Sequence, residues 1–212
     1  MYFCKALFEI FFTDFMDLIN QIDTSFFLFL NQFHSGGADV FFYYVSHRFF
    51  WIPLYLAVLG GIIYKYKKKA VPILFFLVLA IFVTDQSCNL LKNTVQRLRP
   101  SHNTELVDQI HLIDYPDGKL YRGGKFGFPS SHAANSIVFG FFVIFFLSAK
   151  RKWIIIAAIC WAGLIGYSRI YLGVHYPGDL LGGYIIGTLF AFLFGKLLPE
   201  WINRYKVRMK KS

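Results

Sequence analysis

The sequence has few cysteines, and they follow no spacing that would join them. Cys4, Cys88 and Cys160 lie far apart, and two of them fall within apolar runs. A disulfide framework or a zinc site requires cysteines, or cysteines and histidines, at short and regular spacings. The pattern therefore indicates neither, and we interpret Cys88 and Cys160 as small packing residues. The chain also shows no internal repeat and no low-complexity segment.

Charged residues are scarce as well, and acidic residues most of all. Only 16% of the residues are charged, with 12 Asp and Glu against 22 Lys and Arg, so the net charge is +10. With 56% hydrophobic residues and a mean hydropathy of +0.48, the chain is too apolar for an ordinary soluble domain. Surplus cations in a membrane protein usually belong to cytoplasmic loops, so nucleic acid is not an expected partner. We predict an all-α integral membrane protein, a bundle of five to six membrane-spanning helices preceded by an interfacial amphipathic helix.

Five apolar runs come close to the length that crosses a bilayer core, about 20 residues. They are residues 50–64, 71–91, 130–148, 153–167 and 180–198. Basic clusters follow the first, third and fifth runs: Lys65, Lys67, Lys68 and Lys69, then Lys150, Arg151 and Lys152, then Arg204, Lys206, Arg208, Lys210 and Lys211. Alternation of the runs places these clusters on one face, which the positive-inside rule makes cytoplasmic. Residues 92–129 and 169–177 therefore share the outer face.

The chain begins with shorter apolar stretches. In residues 7–22 apolar side chains recur at helical spacing, which predicts an amphipathic helix on the membrane surface. Glu9 and Asp14 interrupt the stretch and no small-residue cleavage site follows, so we do not expect a signal peptide. We interpret residues 26–30 and 40–45 as interfacial or re-entrant pieces, with a tilted span as the alternative. The predicted parts are an amphipathic and interfacial segment (1–49), a membrane-embedded core (50–198) with an outer loop (92–129), and a basic cytoplasmic tail (199–212).

The turn between the last two runs carries three ionisable side chains. Pro177 fixes its own φ angle and disfavours helix for the residue before it, so it predicts that a helix begins there. His175 lies just outside that helix. Asp179 is placed to bind one imidazole nitrogen and leave the other free to attack an electrophile. Arg169 offers a planar set of donors suited to phosphate oxygens. In the alternative interpretation, His175 and Asp179 clamp the loop and Arg169 extends to the membrane interface.

The second span ends in further cations. If its helix continued, Lys92 and Arg99 would share one face with Asp85, each about 10 Å from the next. Long side chains bridge such a gap and meet on one anion, while Pro100 forces Arg99 out of helix. The alternative is that Lys92, Arg97 and Arg99 are interfacial anchors.

Asp85 is costly to place within a span unless it is paired. We interpret it as a partner that holds a site cation, through Gln86 or Asn89. The alternative is a protonated carboxyl in a plain hydrogen bond between helices.

The third span begins with Ser130, Ser131 and His132. Free backbone N–H groups at a helix start, beside two hydroxyls, form an anion site, and His132 donates a proton when charged. An ordinary serine cap with a hydrogen-bonded histidine is the alternative.

Taken together, the three clusters gather three cations around one point. They repel each other unless an anion lies between them, and phosphate is the natural occupant.

These clusters form three motifs: Lys92-x6-Arg99-Pro100, Pro129-Ser130-x-His132 and Ser168-Arg169-x5-His175-x3-Asp179. In order and in internal spacing they resemble the signature of the type-2 phosphatidic acid phosphatase superfamily. The resemblance covers residues 71–198. Ser131 departs from the family, which usually has glycine there. Its hydroxyl and β-carbon narrow the cradle without abolishing it.

The resemblance implies a role for each residue. His175 would be the nucleophile that forms a phosphohistidine, Asp179 would orient it, and His132 would protonate the leaving oxygen. The family works without a metal, so we expect no cofactor. The phosphate oxygens would be held, and transition-state charge stabilised, by Lys92, Arg99, Ser130, Ser131 and Arg169.

The outer loop contains five further candidates for metal ligation: His102, Asp108, His111, Asp114 and Asp117. Their spacing follows no metal pattern. We expect instead that the loop, with Gly123, Gly124 and Gly127, covers the site and helps to select the substrate. His34 and His47 are interpreted as interfacial.

The predicted function is hydrolysis of a phosphate monoester or pyrophosphate of a membrane lipid, at the outer face of a bacterial cytoplasmic membrane. Candidate substrates are polyprenyl diphosphate, phosphatidylglycerol phosphate, phosphatidic acid and lipid A. One alternative is a phosphotransferase that passes the group to a second lipid. Another is a non-catalytic lipid-binding or transport protein of the same fold. Vanadate-dependent haloperoxidase chemistry uses a similar site, but the apolar spans argue against it.

Overall fold

The computed structural model describes residues 2–114, 118–147 and 151–209, and side chains within residues 11–198 of those ranges. There the chain forms seven α-helices, linked by short turns and one long loop. They are α1 (Tyr2–Asn31), α2 (Gly36–Ser46), α3 (Ile52–Tyr66), α4 (Ala70–Val95), α5 (Ser131–Leu147), α6 (Lys152–Tyr171) and α7 (Pro177–Met209). The protein is an all-α integral membrane protein, as predicted. Lys150, Lys210 and Lys211 of the basic clusters lie outside the described residues.

Helices α3 to α7 correspond to the five predicted runs. Arg48–Val95, Lys152–Tyr171 and Pro177–Leu198 are long and apolar enough to cross a membrane. The first of these stretches folds back at a turn of three lysines, Lys67–Lys69, so that α3 packs against α4. Helix α5 is apolar but only 17 residues long. At 1.5 Å per residue it is about 25 Å long, slightly shorter than the bilayer core.

Helix α5 lies at the centre of the bundle and packs closely against α7. A Cβ at Gly183 would lie 2.4 Å from the carbonyl oxygen of Ser130, and one at Gly187 would lie 2.4 Å from that of Ala134. The glycines, four residues apart on one face of α7, let the two backbones approach as small residues do between membrane helices. This contact brings the first turns of α5 and α7 together, and both turns carry predicted site residues.

Helix α1 is one continuous helix of 30 residues. Residues 26–30 are its last turns, so their interpretation as a separate interfacial piece is wrong. No proline or glycine interrupts the chain before Asn31, and the last turns bury one ring: Phe27 packs edge-on against Tyr176, with ring centroids 5.4 Å apart. Asn31 donates hydrogen bonds to the carbonyl oxygens of Ile170 and Tyr171, at 3.1 and 2.9 Å. The end of α1 is therefore fastened to the end of α6.

Residues 40–45 belong to α2, which has 11 residues and packs against α6. A helix of that length is about 16 Å long and cannot cross a bilayer core, which excludes a tilted span here.

Of the two cysteines assigned to packing, Cys88 is buried but Cys160 is exposed. The assignment of Cys160 is therefore wrong.

Helix α4 ends at Val95, because Gln96 adopts a left-handed conformation with φ 54°. The continuation of this helix through Arg99 is therefore wrong. The chain instead becomes extended at Arg99, the residue before Pro100, and pairs with the end of the outer loop. The N–H of Arg99 donates to the carbonyl oxygen of Lys125 at 3.1 Å, and the N–H of Gly127 donates to that of Arg97 at 2.8 Å. This pairing carries Arg99 to the N-terminal ends of α5 and α7.

Candidate active site

His175 and Asp179 form a buried pair where α6 passes into α7. Helix α7 begins at Pro177, as predicted, which leaves His175 in the connecting loop. Its Nδ1 lies 3.2 Å from Oδ2 of Asp179, and the two residues are 1% and 0% exposed. The same oxygen accepts the N–H of Tyr176 at 3.1 Å. An ionised carboxylate on this side keeps the proton on Nδ1 and leaves the lone pair on Nε2.

The surroundings of His175 keep its imidazole neutral. Burial holds the pKa of His175 well below its ordinary value, because the charged form is poorly solvated there. Three neighbouring cations lower that pKa further: Arg99, Arg169 and Lys92. At neutral pH the ring therefore carries a free lone pair, as a nucleophile must.

Arg169, in the last turn of α6, is 2% exposed and is held by two other parts of the chain. Its Nη1 donates to the hydroxyl of Tyr121 in the outer loop at 2.9 Å and to the hydroxyl of Ser46 at the end of α2. Its Nε is buried and has no hydrogen-bond partner within the described residues. An unpaired N–H on a buried guanidinium is costly unless a ligand accepts from it.

Arg99 reaches the same region from the outer loop. Its Nε donates to the carbonyl oxygen of Phe126 at 3.0 Å. Burial and the neighbouring charge of Arg169 lower the pKa of Arg99 to about 10, so its guanidinium remains charged at neutral pH. Gly123, with φ +64°, allows this position, because a Cβ there would lie 2.4 Å from Nη1 of Arg99. A Cβ at Gly127 would lie 2.6 Å from Oδ2 of Asp179. The loop glycines thus let the backbone lie directly over the site.

The first turn of α5 supplies the remaining groups. The N–H of Ser130 donates to the backbone oxygen of Asp179 at 2.9 Å. The N–H groups of Ser131 and His132 have no hydrogen-bond partner among the described residues, so they are free to bind an anion. Lys92 donates to the hydroxyl of Ser131 at 2.6 Å. The serine that replaces the family's glycine therefore holds a site cation in place.

His132 is the accessible member of the group. Its side chain is exposed, yet it lies within electrostatic range of Arg169, His175 and Arg99. The structure thus brings all eight predicted catalytic and phosphate-binding residues to one place, where α4 and α6 end and α5 and α7 begin. The place combines a neutral buried imidazole, three cations and a second imidazole open to solvent. Such a constellation binds a tetrahedral oxyanion and exchanges a proton with it.

Asp85 connects to Lys92 through one of the two residues predicted for this role. Asn89 donates to Oδ2 of Asp85 at 3.1 Å, and its own oxygen accepts from Nζ of Lys92 at 3.4 Å. Asn135 on α5 donates to the other oxygen of Asp85 at 3.5 Å. Gln86 is exposed. The relay therefore restrains the ammonium group together with Ser131.

Two charged residues of the site were not predicted from the sequence as site residues. Arg97, considered only as an interfacial anchor, donates to Oδ1 of Asp179 at 3.0 Å and to Oδ2 of Asp23 at 2.7 Å. Asp23 in turn accepts the N–H of Gly178 at 2.7 Å. A Cβ at Gly178 would lie 2.6 Å from Oδ2 of Asp23, so glycine permits this approach. Helix α1 is thereby linked to the His175–Asp179 pair through one carboxylate and one guanidinium.

The sequence contains weak signals for this contact. Asp23 is an acidic residue in the second half of α1, and Arg97 stands between the two residues of the first motif. Neither residue has a local partner, so sequence spacing alone does not connect them.

The ionisable residues of the outer loop make structural contacts. Nε2 of His111 lies 2.7 Å from Oδ1 of Asp39 in α2, and its ring stacks on His34 with centroids 3.9 Å apart. His102 contacts the carbonyl oxygen of Gly123 at 3.4 Å. Asp117 lies outside the described residues. His47 stacks on Tyr43.

Known bacterial phosphatases are similar to most of this chain in sequence. A model of the PAP2 superfamily matches residues 69–202. The chain is 37% identical over 183 residues to the lipid A 4'-phosphatase of Bacteroides thetaiotaomicron, covering 84% of this chain and 78% of that protein. It is 33% identical over 165 residues to phosphatidylglycerophosphatase B of Bacillus subtilis, covering 74% and 71%.

Among solved structures, the fold matches a transmembrane PAP2-type phosphatidylglycerolphosphate phosphatase of Bacillus subtilis. The TM-score is 0.65 at 23% sequence identity, over 86% of this chain and 87% of that one. At this sequence identity the similarity shows that the two proteins share a fold, and it shows nothing about activity.

Proposed function

Because the chain belongs to the PAP2 superfamily and is a membrane lipid phosphatase, we propose that it removes a phosphate group from lipid A through a phosphohistidine on His175. Two of the alternative lipids, phosphatidylglycerol phosphate and phosphatidic acid, carry no sugar. Lipid A is a phosphorylated glucosamine disaccharide with several acyl chains. The similarity to the lipid A 4'-phosphatase supports this choice, because it is higher and extends over more of the chain than that to the phosphatidylglycerophosphatase.

In the first chemical step, Nε2 of His175 attacks the phosphorus atom. The P–N bond forms as the bond from phosphorus to the lipid oxygen breaks, and His132 transfers a proton to that oxygen. The incoming phosphate carries negative charge into a group of cations, which favours the protonated form of His132 beforehand. The three cations and the free N–H groups of α5 stabilise the charge that spreads over the phosphate oxygens.

In the second step, water attacks the phosphorus atom and the P–N bond breaks. His132, now neutral, takes a proton from the water, and the electron pair returns to Nε2 of His175. Inorganic phosphate then leaves. Asp179 serves both steps, because it stabilises the positive charge on the ring while the P–N bond exists. This residue is fully buried and accepts hydrogen bonds at both oxygens, so its position is well defined.

We place the site at the periplasmic face of a bacterial cytoplasmic membrane. The basic residues Lys67–Lys69 precede α4, and Lys92 stands in its last turn. Arg151 and Lys152 stand at the beginning of α6, and Arg169 stands in its last turn. The lysine-rich turns and the site are therefore at opposite ends of the same two helices, and the positive-inside rule makes the lysine-rich end cytoplasmic.

The proposed mechanism rests on one observation, the buried His175–Asp179 pair beside three cations. The test is alkaline-quench trapping with bisphosphorylated lipid A, radiolabelled in its phosphate groups, in detergent micelles. We expect an acid-labile, base-stable phosphoprotein in the wild type and none in the His175→Ala variant. Release of free phosphate with no label on the protein at any quench time would contradict the phosphohistidine.

A companion measurement addresses the phosphotransferase alternative. With lipid A as the sole lipid, a hydrolase releases one free phosphate for each molecule dephosphorylated. A transferase would release little phosphate and would produce a more highly phosphorylated lipid. Phosphate release and lipid mass spectra from one reaction distinguish the two.

A further inference from the structure

A groove lined by Leu98, Leu106 and a larger number of polar residues lies between α1 and the beginning of the outer loop. Its volume is about 670 Å³, within the usual range for small-molecule sites. Helix α1 contributes Asp17, Asn20, Gln21 and Thr24 to one wall, and the loop contributes Asn103 and Glu105 to the other. Arg97 and Tyr176 also line the groove.

The groove is next to the catalytic pair. Arg97 donates to Asp179 at 3.0 Å, and Tyr176 follows His175 in the chain. The guanidinium of Arg97 also lies over the Tyr176 ring, 4.2 Å from its centroid. The groove therefore borders the His175–Asp179 pair on the side of Asp179, with Arg97 and Tyr176 as the residues next to both.

The position of α1 suits a lipid headgroup. Phe15, Leu18 and Ile22 form an exposed apolar face of this helix, while Asn20 and Gln21 line the groove. An amphipathic helix with this division lies at the boundary between acyl chains and headgroups. The groove is consequently at the depth at which a lipid displays its polar part.

The chemistry of the walls favours hydroxyl groups. Asp17, Asn20 and Gln21 have no side-chain hydrogen-bond partner in the part of the chain that the structure describes. Amides and carboxylates pair with hydroxyl and amide groups, both as donors and as acceptors. Arg97 is the sole cation in the described lining, and it is already bonded to Asp23 and Asp179. The described lining of the groove thus has no unbonded cation for a second phosphate, but it has several hydrogen-bond donors and acceptors for a sugar.

We propose that this groove binds the sugar part of a phosphorylated glycolipid while its phosphate group lies at His175. The proposal rests on the proposed function and refines it, because it makes the sugar a determinant of substrate choice. It also gives α1 a direct part in recognition. Phosphatidic acid, which has no sugar, would use the phosphate cradle alone.

The test compares two substrates in the same detergent micelles, bisphosphorylated lipid A and phosphatidic acid. Asn20 and Gln21 are exposed and unbonded, so an Asn20→Ala/Gln21→Ala variant is expected to fold. For lipid A its KM should rise about tenfold, since each lost hydrogen bond weakens binding several-fold. Its kcat and KM for phosphatidic acid should stay at wild-type values. Gln32→Ala, an exposed amide just past the end of α1 and outside the groove, is the matched control.

Unchanged kinetics with lipid A, or equal losses with both lipids, would overturn the groove proposal. Binding of fully dephosphorylated lipid A, followed by fluorescence, separates this outcome from failure of the proposed function. If the wild type binds that glycolipid several-fold more tightly than the double variant but releases no phosphate from lipid A, the groove proposal stands and the lipid A assignment falls. If both bind it equally, the groove proposal falls regardless of activity.

Discussion

The interior of the helical bundle differs sharply between its two ends. Near the lysine-rich turn it is packed with rings, among them the buried Phe76, Phe142 and Phe146. At the other end the buried residues include Arg99, Arg169, His175 and Asp179. Buried charge is costly without partners, and here Asp179, Arg99 and Arg169 each have at least one hydrogen-bond partner. The ring-packed end therefore stabilises the fold and the charged end carries the proposed chemistry, so substitutions at the two ends should have different effects.

The largest effect is expected at the charged end, from His175→Ala. Removing the proposed nucleophile should lower kcat at least about 10⁴-fold, with little change in the thermal unfolding temperature. Phosphate release from lipid A and a melting curve in detergent measure the two quantities. His47→Ala, an exposed histidine at the end of α2, should keep the wild-type rate. Substantial turnover by His175→Ala would remove that residue from the chemistry.

At the ring-packed end, Phe142→Ala should have the opposite signature. This residue is 1% exposed, and truncating a buried phenylalanine typically costs about 3 kcal/mol or more through the cavity that it leaves. We expect a lower unfolding temperature, while the protein that remains folded keeps its kcat. Phe145→Ala in the same helix is a suitable control, because Phe145 is 54% exposed. If Phe142→Ala lost activity without losing stability, the division between the two ends would be incorrect.

The Arg97→Ala variant tests whether Arg97 contributes to the proposed chemistry at the charged end. Without its guanidinium, Asp179 loses one of its hydrogen bonds and the link to α1, and a small displacement of a catalytic group costs about 10²-fold in rate. We expect this loss in kcat with KM nearly unchanged. Arg97→Lys should recover part of the rate, because an ammonium group reaches one carboxylate but not both.

The control for Arg97 is Arg122→Ala, which removes an exposed arginine of the outer loop. Asp23→Asn should reproduce a milder form of the Arg97→Ala defect, because it weakens the same link from the α1 side. An increase in KM alone in these variants would mean that Arg97 binds substrate rather than positions Asp179.

The smallest effect is expected from Asp85→Asn. Asp85 holds Lys92 only through Asn89, and indirect partners of this kind typically contribute about tenfold or more. We expect a kcat reduction of about tenfold in a normally folded protein. Gln86→Ala, at the exposed neighbouring position, should have no effect. A wild-type rate in Asp85→Asn would assign Asp85 to helix packing alone.

Contacts between residues close in the sequence could be predicted, and contacts between distant residues could not. The His175–Asp179 contact joins residues four apart at a helix start marked by proline, so spacing alone predicted it. The end of α4 was misjudged, because a left-handed residue at Gln96 has no strong signal in that sequence. Arg97 was assigned to the membrane interface, because an arginine at the end of a span is usual there. Its real partners, Asp23 and Asp179, are 74 and 82 residues away in the chain.

By itself the sequence determined the membrane class, the apolar helices and the three motifs. These depend on composition and on spacings shorter than two helical turns, which each segment carries independently of the rest. Only the tertiary structure decided that α1 reaches the His175–Asp179 pair, that Ser131 holds Lys92 and that a groove lies beside Arg97 and Tyr176. Those contacts join distant segments, and their existence depends on close approaches between backbones, such as those at Gly178, Gly183 and Gly187, that only the packed bundle creates.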